Sequence, residues 1–443
     1  MSLLIPIALF GWIPFTVVCF SRMDGHKAVL ISYIGAVLFL PCSGYNLPGI
    51  PGFGKTTAAG LGVLLGMSLY DNEKLSQFRI QLYDLPVLVW TLCPVPTSLT
   101  NQLGLYDGLS GVWSQFFSWG LPYFAGRLYF ADQEKLTDLA KGFVIGGIIY
   151  VPLCLYEVRM SPQLSNMVYG FFPHSFGQQV RFGGFRPVVF MQHGLPVALW
   201  MATTATAAFW LWKSRKIEQL FHVPMGVHVI LLILTAILCK STGAWILLLL
   251  GISSYFIFRY LGSITFLQIL LLAVPTYTIV RAFGFLDRHT IQDLFRSFVP
   301  QERLDSLSIR LLQEDLFSFK TKERFFFGWG GWGRNRPVDP FTGKELIRMI
   351  DSLWLIIFSS KGAVGLYSMF GAVLLGPMLA FNQKNFDQED EKEEGIFLAL
   401  LGLSVVLSVI DGLSNGMFNV FFMVISGALL SRAIEKNAEK QWL

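Results

Sequence analysis

The sequence predicts an all-α polytopic membrane protein with about 12–13 transmembrane helices and one large extracytoplasmic loop containing an amphipathic helix. Three observations carry that expectation. The 443 residues are 53% hydrophobic and only 14% charged, with a mean hydropathy of +0.54, whereas soluble domains run near a quarter charged. Apolar runs long enough to cross a bilayer recur along most of the chain. One long polar stretch, from about Arg281 to Asp351, interrupts them in the C-terminal half. The division is therefore residues 1–280 as a helical membrane region, 281–352 as the large loop, and 353–443 as C-terminal spans with a tail.

Composition narrows the function classes. Forty Phe and twelve Trp suit lipid contact and interfacial belts. A net charge of +5 gives no reason to expect a nucleic-acid partner. The five cysteines stand singly in or beside apolar runs, without metal spacing or a disulfide framework. The first apolar run, Leu3 to Phe20, lacks a basic leader region and a small-residue cleavage site, so it is expected to be a retained helix.

Counting stretches of roughly 20 apolar residues, with tolerance for tilted ones, places spans near 3–20, 28–42, 56–70, 82–97, 111–130, 138–156, 188–212, 224–239, 242–258, 264–281, 353–381, 395–410 and 414–432. The third is short enough to be tilted or partly re-entrant. Alternate short loops hold sixteen Lys/Arg residues on one side and five on the other. The positive-inside rule sends the richer set, which includes Arg127, Lys213 and Arg432, to the cytoplasm. The N-terminus and the large loop then face outward. The loop's own twelve Lys/Arg do not overturn this, because long loops escape the rule. The run Asn385–Glu394 reads as a solvated acidic linker. No internal repeat is visible, so the inverted-repeat signature of many transporters is missing.

Inside the loop, Leu304, Leu307, Leu311, Leu312, Leu316 and Phe319 recur at helical spacing, with Arg310, Gln313 and Glu314 between them. That helix would lie on the membrane surface or cap a cavity. An aromatic-glycine knot follows, Phe325 to Gly333, with four glycines that allow close backbone approach. A second outer segment, 157–187, ends in a stretch carrying Arg181 and Arg186.

Polar groups fall at one membrane face in four places: Arg181 and Arg186 with His193, Lys240 with Ser241 and Thr242, Arg310, and Asp351 with Ser352. Ionisable groups at membrane depth are costly, which favours function. Arginine's fork and lysine's point charge both suit phosphate oxygens, and a nearby carboxylate can take a hydroxyl proton. Each group also has a plainer role open to it. The arginines and Lys240 can anchor helix ends at headgroups, Asp351-Ser352 can cap the next helix, and His193 can simply pack and hydrogen-bond. The remaining histidines are isolated, and no metal cluster or cofactor motif is visible.

Taken in order, these residues resemble the O-antigen ligase and bacterial O-antigen and exopolysaccharide polymerase superfamily. That family's loop ends in His, then Asn, Ser or Gln, nine residues, then Gly. Here Asp351-Ser352, nine residues and Gly362 keep the spacing, with Asp in place of His. Lys240-Ser241-Thr242-Gly243-Ala244 resembles the family's small-residue turn, with Lys in place of Arg. Arg310 and the downstream Gly328-Trp329-Gly330 match the loop arginine and its Gly-x-Gly, and Arg186-Pro187 with His193-Gly194 match the segment opening the central helix. The resemblance implies metal-independent, cofactor-free glycosyl transfer in the bacterial cytoplasmic membrane, with the site facing the periplasm. The donor would be an undecaprenyl-diphosphate-linked oligosaccharide and the acceptor a glycan, lipid or protein hydroxyl. A chain-length regulator and a flippase become candidate partners, beside membrane lipids.

On this reading Asp351 or His193 is the base, and Lys240, Arg310, Arg186 and Arg181 hold the diphosphate. Repeat-unit polymerisation is the first expectation and ligation the alternative. The rivals are a lipid-linked oligosaccharide transporter or flippase, a polyprenyl-phosphate-sugar glycosyltransferase, and a non-enzymatic assembly protein. The second of these usually carries an acidic motif in its first outer loop, and residues 43–55 contain no acid.

Overall fold

A computed structural model describes residues 2–45, 51–261, 263–297, 301–347, 349–382 and 392–441. Most of the expected acidic linker, Asn385–Glu394, lies outside them. Nineteen helices account for nearly all regular structure among the described residues. The first third comprises α1 (Leu4–Arg22), α2 (Gly25–Phe39), α3 (Lys55–Tyr70), α4 (Asn72–Gln77), α5 (Leu85–Leu92), α6 (Pro94–Thr100), α7 (Leu105–Gln115) and α8 (Leu121–Tyr129). Next come α9 (Gln133–Met160), α10 (Leu164–Tyr169), α11 (Gly194–Lys213), α12 (Met225–Leu238), α13 (Thr242–Leu261) and α14 (Thr265–Phe283). The loop region adds α15 (Arg288–Arg296) and α16 (Gln301–Lys322), and the chain closes with α17 (Leu353–Phe381), α18 (Lys392–Asp411) and α19 (Phe421–Gln441).

Six of these, α1, α9, α11, α13, α14 and α17, are long and apolar enough to cross a membrane by length and composition. Shorter apolar helices stand at Gly25–Phe39, Leu82–Leu92, Met225–Leu238 and Gly395–Asp411. The chain is an all-α protein with the helices of a multi-pass membrane protein. Its most buried elements are α11, α17, α18 and α19. Helix α17 packs on α19, α18 and α5, and α11 packs on α12, α13 and α18.

Several boundaries differ from expectation for identifiable reasons. The stretch expected to span 82–97 is broken at Cys93 into α5 and α6, each with a proline in its first turn. The stretch expected at 111–130 carries a π-helical segment, Phe116–Gly120, between α7 and α8. Helix α19 begins at Phe421 rather than 414, leaving 412–420 as irregular chain. Arg281, counted with the loop cations, belongs to the last turn of α14 and is buried. Arg127, counted as a loop cation, is buried in α8 and paired with Asp84, which also accepts from the Tyr123 hydroxyl at 2.8 Å.

The expected span at 188–212 starts six residues late, at Gly194. Glu157, buried near the end of α9, supplies the reason. Its Oε2 accepts from the backbone N–H of Val188 and Val189, each at 2.7 Å, and its Oε1 from Leu164 N–H at 2.8 Å. Phe190 N–H donates to the Tyr150 hydroxyl at 3.2 Å. Met191 N–H donates to the Val188 carbonyl at 3.0 Å, so the first four N–H groups of the stretch are satisfied without a helix.

A second interruption lies in α17, where Gly362 has φ 66° and ψ −165°. Such a break frees carbonyls before it and N–H groups after it. The knot answers them. Trp329 and Gly330 N–H donate to the Ser359 and Ser360 carbonyls at 3.0 and 2.8 Å. The Phe325 and Phe326 carbonyls accept from Ala363 and Val364 N–H at 2.7 and 3.1 Å. A Cβ on Gly362 would sit inside van der Waals contact with the Phe325–Phe326 backbone, and one on Gly328 would strike Ser360–Lys361. Both positions also have φ above zero, so glycine meets two demands at once.

Candidate functional site: a cationic cavity beside Asp351

Four segments meet at a cavity of about 690 Å3, a size typical of small-ligand sites. The first is a two-residue hairpin, Val180–Arg181 paired with Gly184–Phe185, whose turn residues Phe182 and Gly183 both have positive φ. Phe182 stacks on Trp245 of α13 at 5.6 Å, fixing the hairpin against that helix. The second is the link between α12 and α13, where Lys240 takes φ 50° to reverse the chain. The third is the helix α16, with Ser306, Leu307, Ile309 and Arg310 facing inward. The fourth joins Asp351 to the irregular stretch around Ser414–Met417.

All six side chains singled out from the sequence line this one cavity: Arg181, Arg186, His193, Lys240, Arg310 and Asp351. Four are cations and one is a carboxylate, so the lining has excess positive charge and favours an anion. Arg186 is buried and donates to the Lys240 carbonyl at 2.9 Å, tying the hairpin to the α12–α13 turn. The Lys240 ammonium lies 3.4 Å from the Phe182 carbonyl. Across the cavity, Arg310 Nε is 4.0 Å from Asp351 Oδ2, and both side chains are about half exposed at 40% and 51%. That contact is long and wet, and leaves both groups accessible to a ligand.

The two candidate bases are held differently. Asp351-Ser352 does not cap α17 through a side chain. The first N–H of the helix, on Leu353, donates instead to the Gly412 carbonyl at 2.9 Å. Asp351 is thereby left without a capping duty. His193, by contrast, is an N-cap: its Nδ1 accepts from Leu195 N–H at 3.1 Å, and its Nε2 lies 3.3 Å from Gln178 Oε1. With an amide oxygen as partner, Nε2 carries the proton, so both ring nitrogens are engaged. Burial, then His174, Arg186 and Arg181, push the His193 imidazole down to about 4, keeping it neutral at ordinary pH.

Helix α16 is held by a buried network absent from the sequence reading. Arg281 Nε donates to Glu314 Oε2 at 2.8 Å, and Arg281 Nη2 to Asp315 Oδ1 at 2.8 Å. The Tyr277 hydroxyl donates to Glu314 at 2.9 Å. Burial raises the Glu314 carboxyl, while the Arg281 guanidinium opposes the shift. Glu314 lies one turn beyond Arg310, so the network sets the face that α16 turns to the cavity. Sequence reasoning also passed over Asp411, a buried carboxylate that accepts from Asn415 Nδ2 at 2.8 Å and lies within electrostatic reach of Arg310. Its only signal was an acid closing an apolar run.

Among the described residues, no group of three or more His, Cys, Asp or Glu side chains is placed to hold a metal ion. No family model matches the chain, and no curated protein matches it.

Proposed function

We propose that this chain is a glycosyltransferase that moves a glycan from undecaprenyl diphosphate to an acceptor hydroxyl at the outer face of the bacterial cytoplasmic membrane. In this reading the thirteen apolar segments are the spans, residues 281–352 form the periplasmic loop, and the resemblance to the O-antigen ligase and polymerase superfamily is one of kinship. Repeat-unit polymerisation is the first reaction proposed, with ligation to a lipid or protein acceptor as the alternative. The observation that carries the proposal is the convergence of four cations and one accessible carboxylate on a single cavity.

The chemistry follows from those groups. The acceptor oxygen attacks the anomeric carbon, and the bond from that carbon to the diphosphate oxygen breaks. The electron pair leaves with the diphosphate, whose growing charge Arg310, Lys240, Arg181 and Arg186 neutralise. Asp351 takes the acceptor proton. It is preferred to His193 because both imidazole nitrogens are already occupied.

The test uses purified protein in nanodiscs, with an undecaprenyl-diphosphate repeat unit and EDTA present, and products followed by gel and mass spectrometry. Ladders of multiplied repeats, lost in Asp351→Asn and Arg310→Ala, are the expected result. A single transfer requiring an added lipid or protein acceptor would move the reaction to ligation. Absence of turnover, with substrate crossing a vesicle membrane instead, would replace the proposal with transport.

A further inference from the structure

A second chamber of about 400 Å3 lies beside the cationic cavity. Three stretches of chain form the seam. Gly416 and Met417 line both spaces. Gln192 lines the second and its neighbour His193 the first, and Leu353 lines the second while Asp351 lines the first. The backbone of Gly416 also runs against that of Asp351, since a Cβ there would come within 3.3 Å of the Asp351 carbonyl. A molecule in the second chamber thus ends next to the proposed base.

The lining specifies what that molecule is. Trp119 and Phe418, stacked on one another 4.4 Å apart at 8°, both line the chamber as a rigid aromatic wall, and aromatic rings of this kind are what the apolar face of a sugar packs against. Tyr33 has a fully buried hydroxyl with no hydrogen-bond partner among the described residues, a costly state that a ligand hydroxyl would relieve. Lys55 also lines the chamber. Its ammonium donates to the Cys42 sulfur at 3.2 Å, a weak acceptor for one of three donors. No carboxylate stands among the described residues that line it. A cation in a largely apolar chamber, whose partner among the described residues is a thiol, favours an anionic occupant.

We propose that this chamber holds an acidic sugar of the acceptor, with Lys55 on its carboxylate and the Trp119–Phe418 wall under its ring. The inference rests on the glycosyltransferase reading and adds a substrate class to it: the enzyme prefers an acceptor bearing a uronic acid. Each chamber then has its own anion, diphosphate at Arg310 and carboxylate at Lys55.

The experiment is a binding titration of the detergent-purified full chain with the disaccharide glucuronosyl-(1→4)-glucose and with its neutral counterpart cellobiose, read by tryptophan fluorescence and by calorimetry. Undecaprenyl diphosphate is titrated in parallel. The acidic disaccharide is expected to bind at least tenfold more tightly than cellobiose. Lys55→Met should erase the difference and Lys55→Arg restore most of it. Arg310→Ala should weaken undecaprenyl diphosphate binding and leave the disaccharide preference in place. Equal affinity for the two disaccharides in the wild type overturns the inference, as does a preference that survives Lys55→Met but disappears in Arg310→Ala. Failure of undecaprenyl diphosphate to bind, with the Lys55-dependent preference intact, would instead strike the glycosyltransferase reading and leave an acidic-sugar site standing.

Discussion

Two stretches beside the cavity leave the helical path, and they are held in opposite ways. At Gly362 the break in α17 is met by another piece of backbone, the knot Phe325–Gly330, through four main-chain hydrogen bonds. At 188–193 the chain is met by side chains of α9, chiefly the Glu157 carboxylate, which takes the N–H groups of Val188 and Val189 and, from α10, that of Leu164, while the Tyr150 hydroxyl takes that of Phe190. The first arrangement spreads its cost over many groups and demands glycine where the two backbones touch. The second concentrates most of the task in one buried acid and places almost no demand on the residues it holds. Both solve the same problem, a polar backbone away from water, where each orphaned group costs several kcal/mol.

That contrast can be broken from either side. Glu157→Ala should have the largest effect, destabilising the protein by about 4 kcal/mol, since three donors lose their partner together. Urea or thermal unfolding in detergent reads this, and wild-type stability would show that the carboxylate is not the mount. Gly362→Ala is expected to cost about 3 kcal/mol from positive φ and backbone contact combined. Faster hydrogen exchange at Ala363 and Val364 would locate the loss at the knot.

A pH titration sharpens the comparison at the far end of the 188–193 stretch. The His193 proton affinity is depressed, to about 4 in the folded state against 6.5 for the free side chain. The unfolded chain therefore binds the proton first, and stability present above pH 6.5 is lost as pH falls toward 4. The loss approaches about 3 kcal/mol. In His193→Asn, which keeps a capping side chain, that slope should flatten while stability at pH 7 changes little. The smallest effect is expected at Trp332, 81% exposed with only an indole bond to Asp107 at 2.8 Å. Trp332→Phe should shift stability by less than about 0.5 kcal/mol, because this end of the knot does not meet the break.

The same contrast explains what was legible in the sequence. Breaks made of glycine and cavities made of arginine announce themselves by residue type, so the knot, Gly362, Arg310, Lys240 and Asp351 stood out. The helix expected over Leu304–Phe319 is present as Gln301–Lys322 because its apolar spacing reports its period directly. Glu157 stayed hidden, since one acid near the end of an apolar run looks like a helix terminus until its donors at Leu164, Val188 and Val189 are in place. The Arg281–Glu314 pair was missed for a related reason: its members lie on separate helices, and neither local pattern names the other. The second chamber is built from α2, α3, the π-helical segment, the stretch 191–196, Leu353 and 416–420, distant pieces of chain with no shared motif. The late start of α11 shows tertiary hydrogen bonding overriding an apolar run that could have been helical throughout.

The knot also fixes an order of assembly. Phe325–Gly330 leaves the ribosome before Ser359–Val364, which shares four main-chain hydrogen bonds with it, but after Thr97 and Asn101, whose side chains donate to the Phe327 and Gly328 carbonyls. Until α17 is in place and broken at Gly362, the knot lacks its four main-chain partners, and the α17 break is equally incomplete without it. The loop and the helix must mature as a pair, so this part of the protein reaches its final form after α17 has been made, however early α1 to α14 settle.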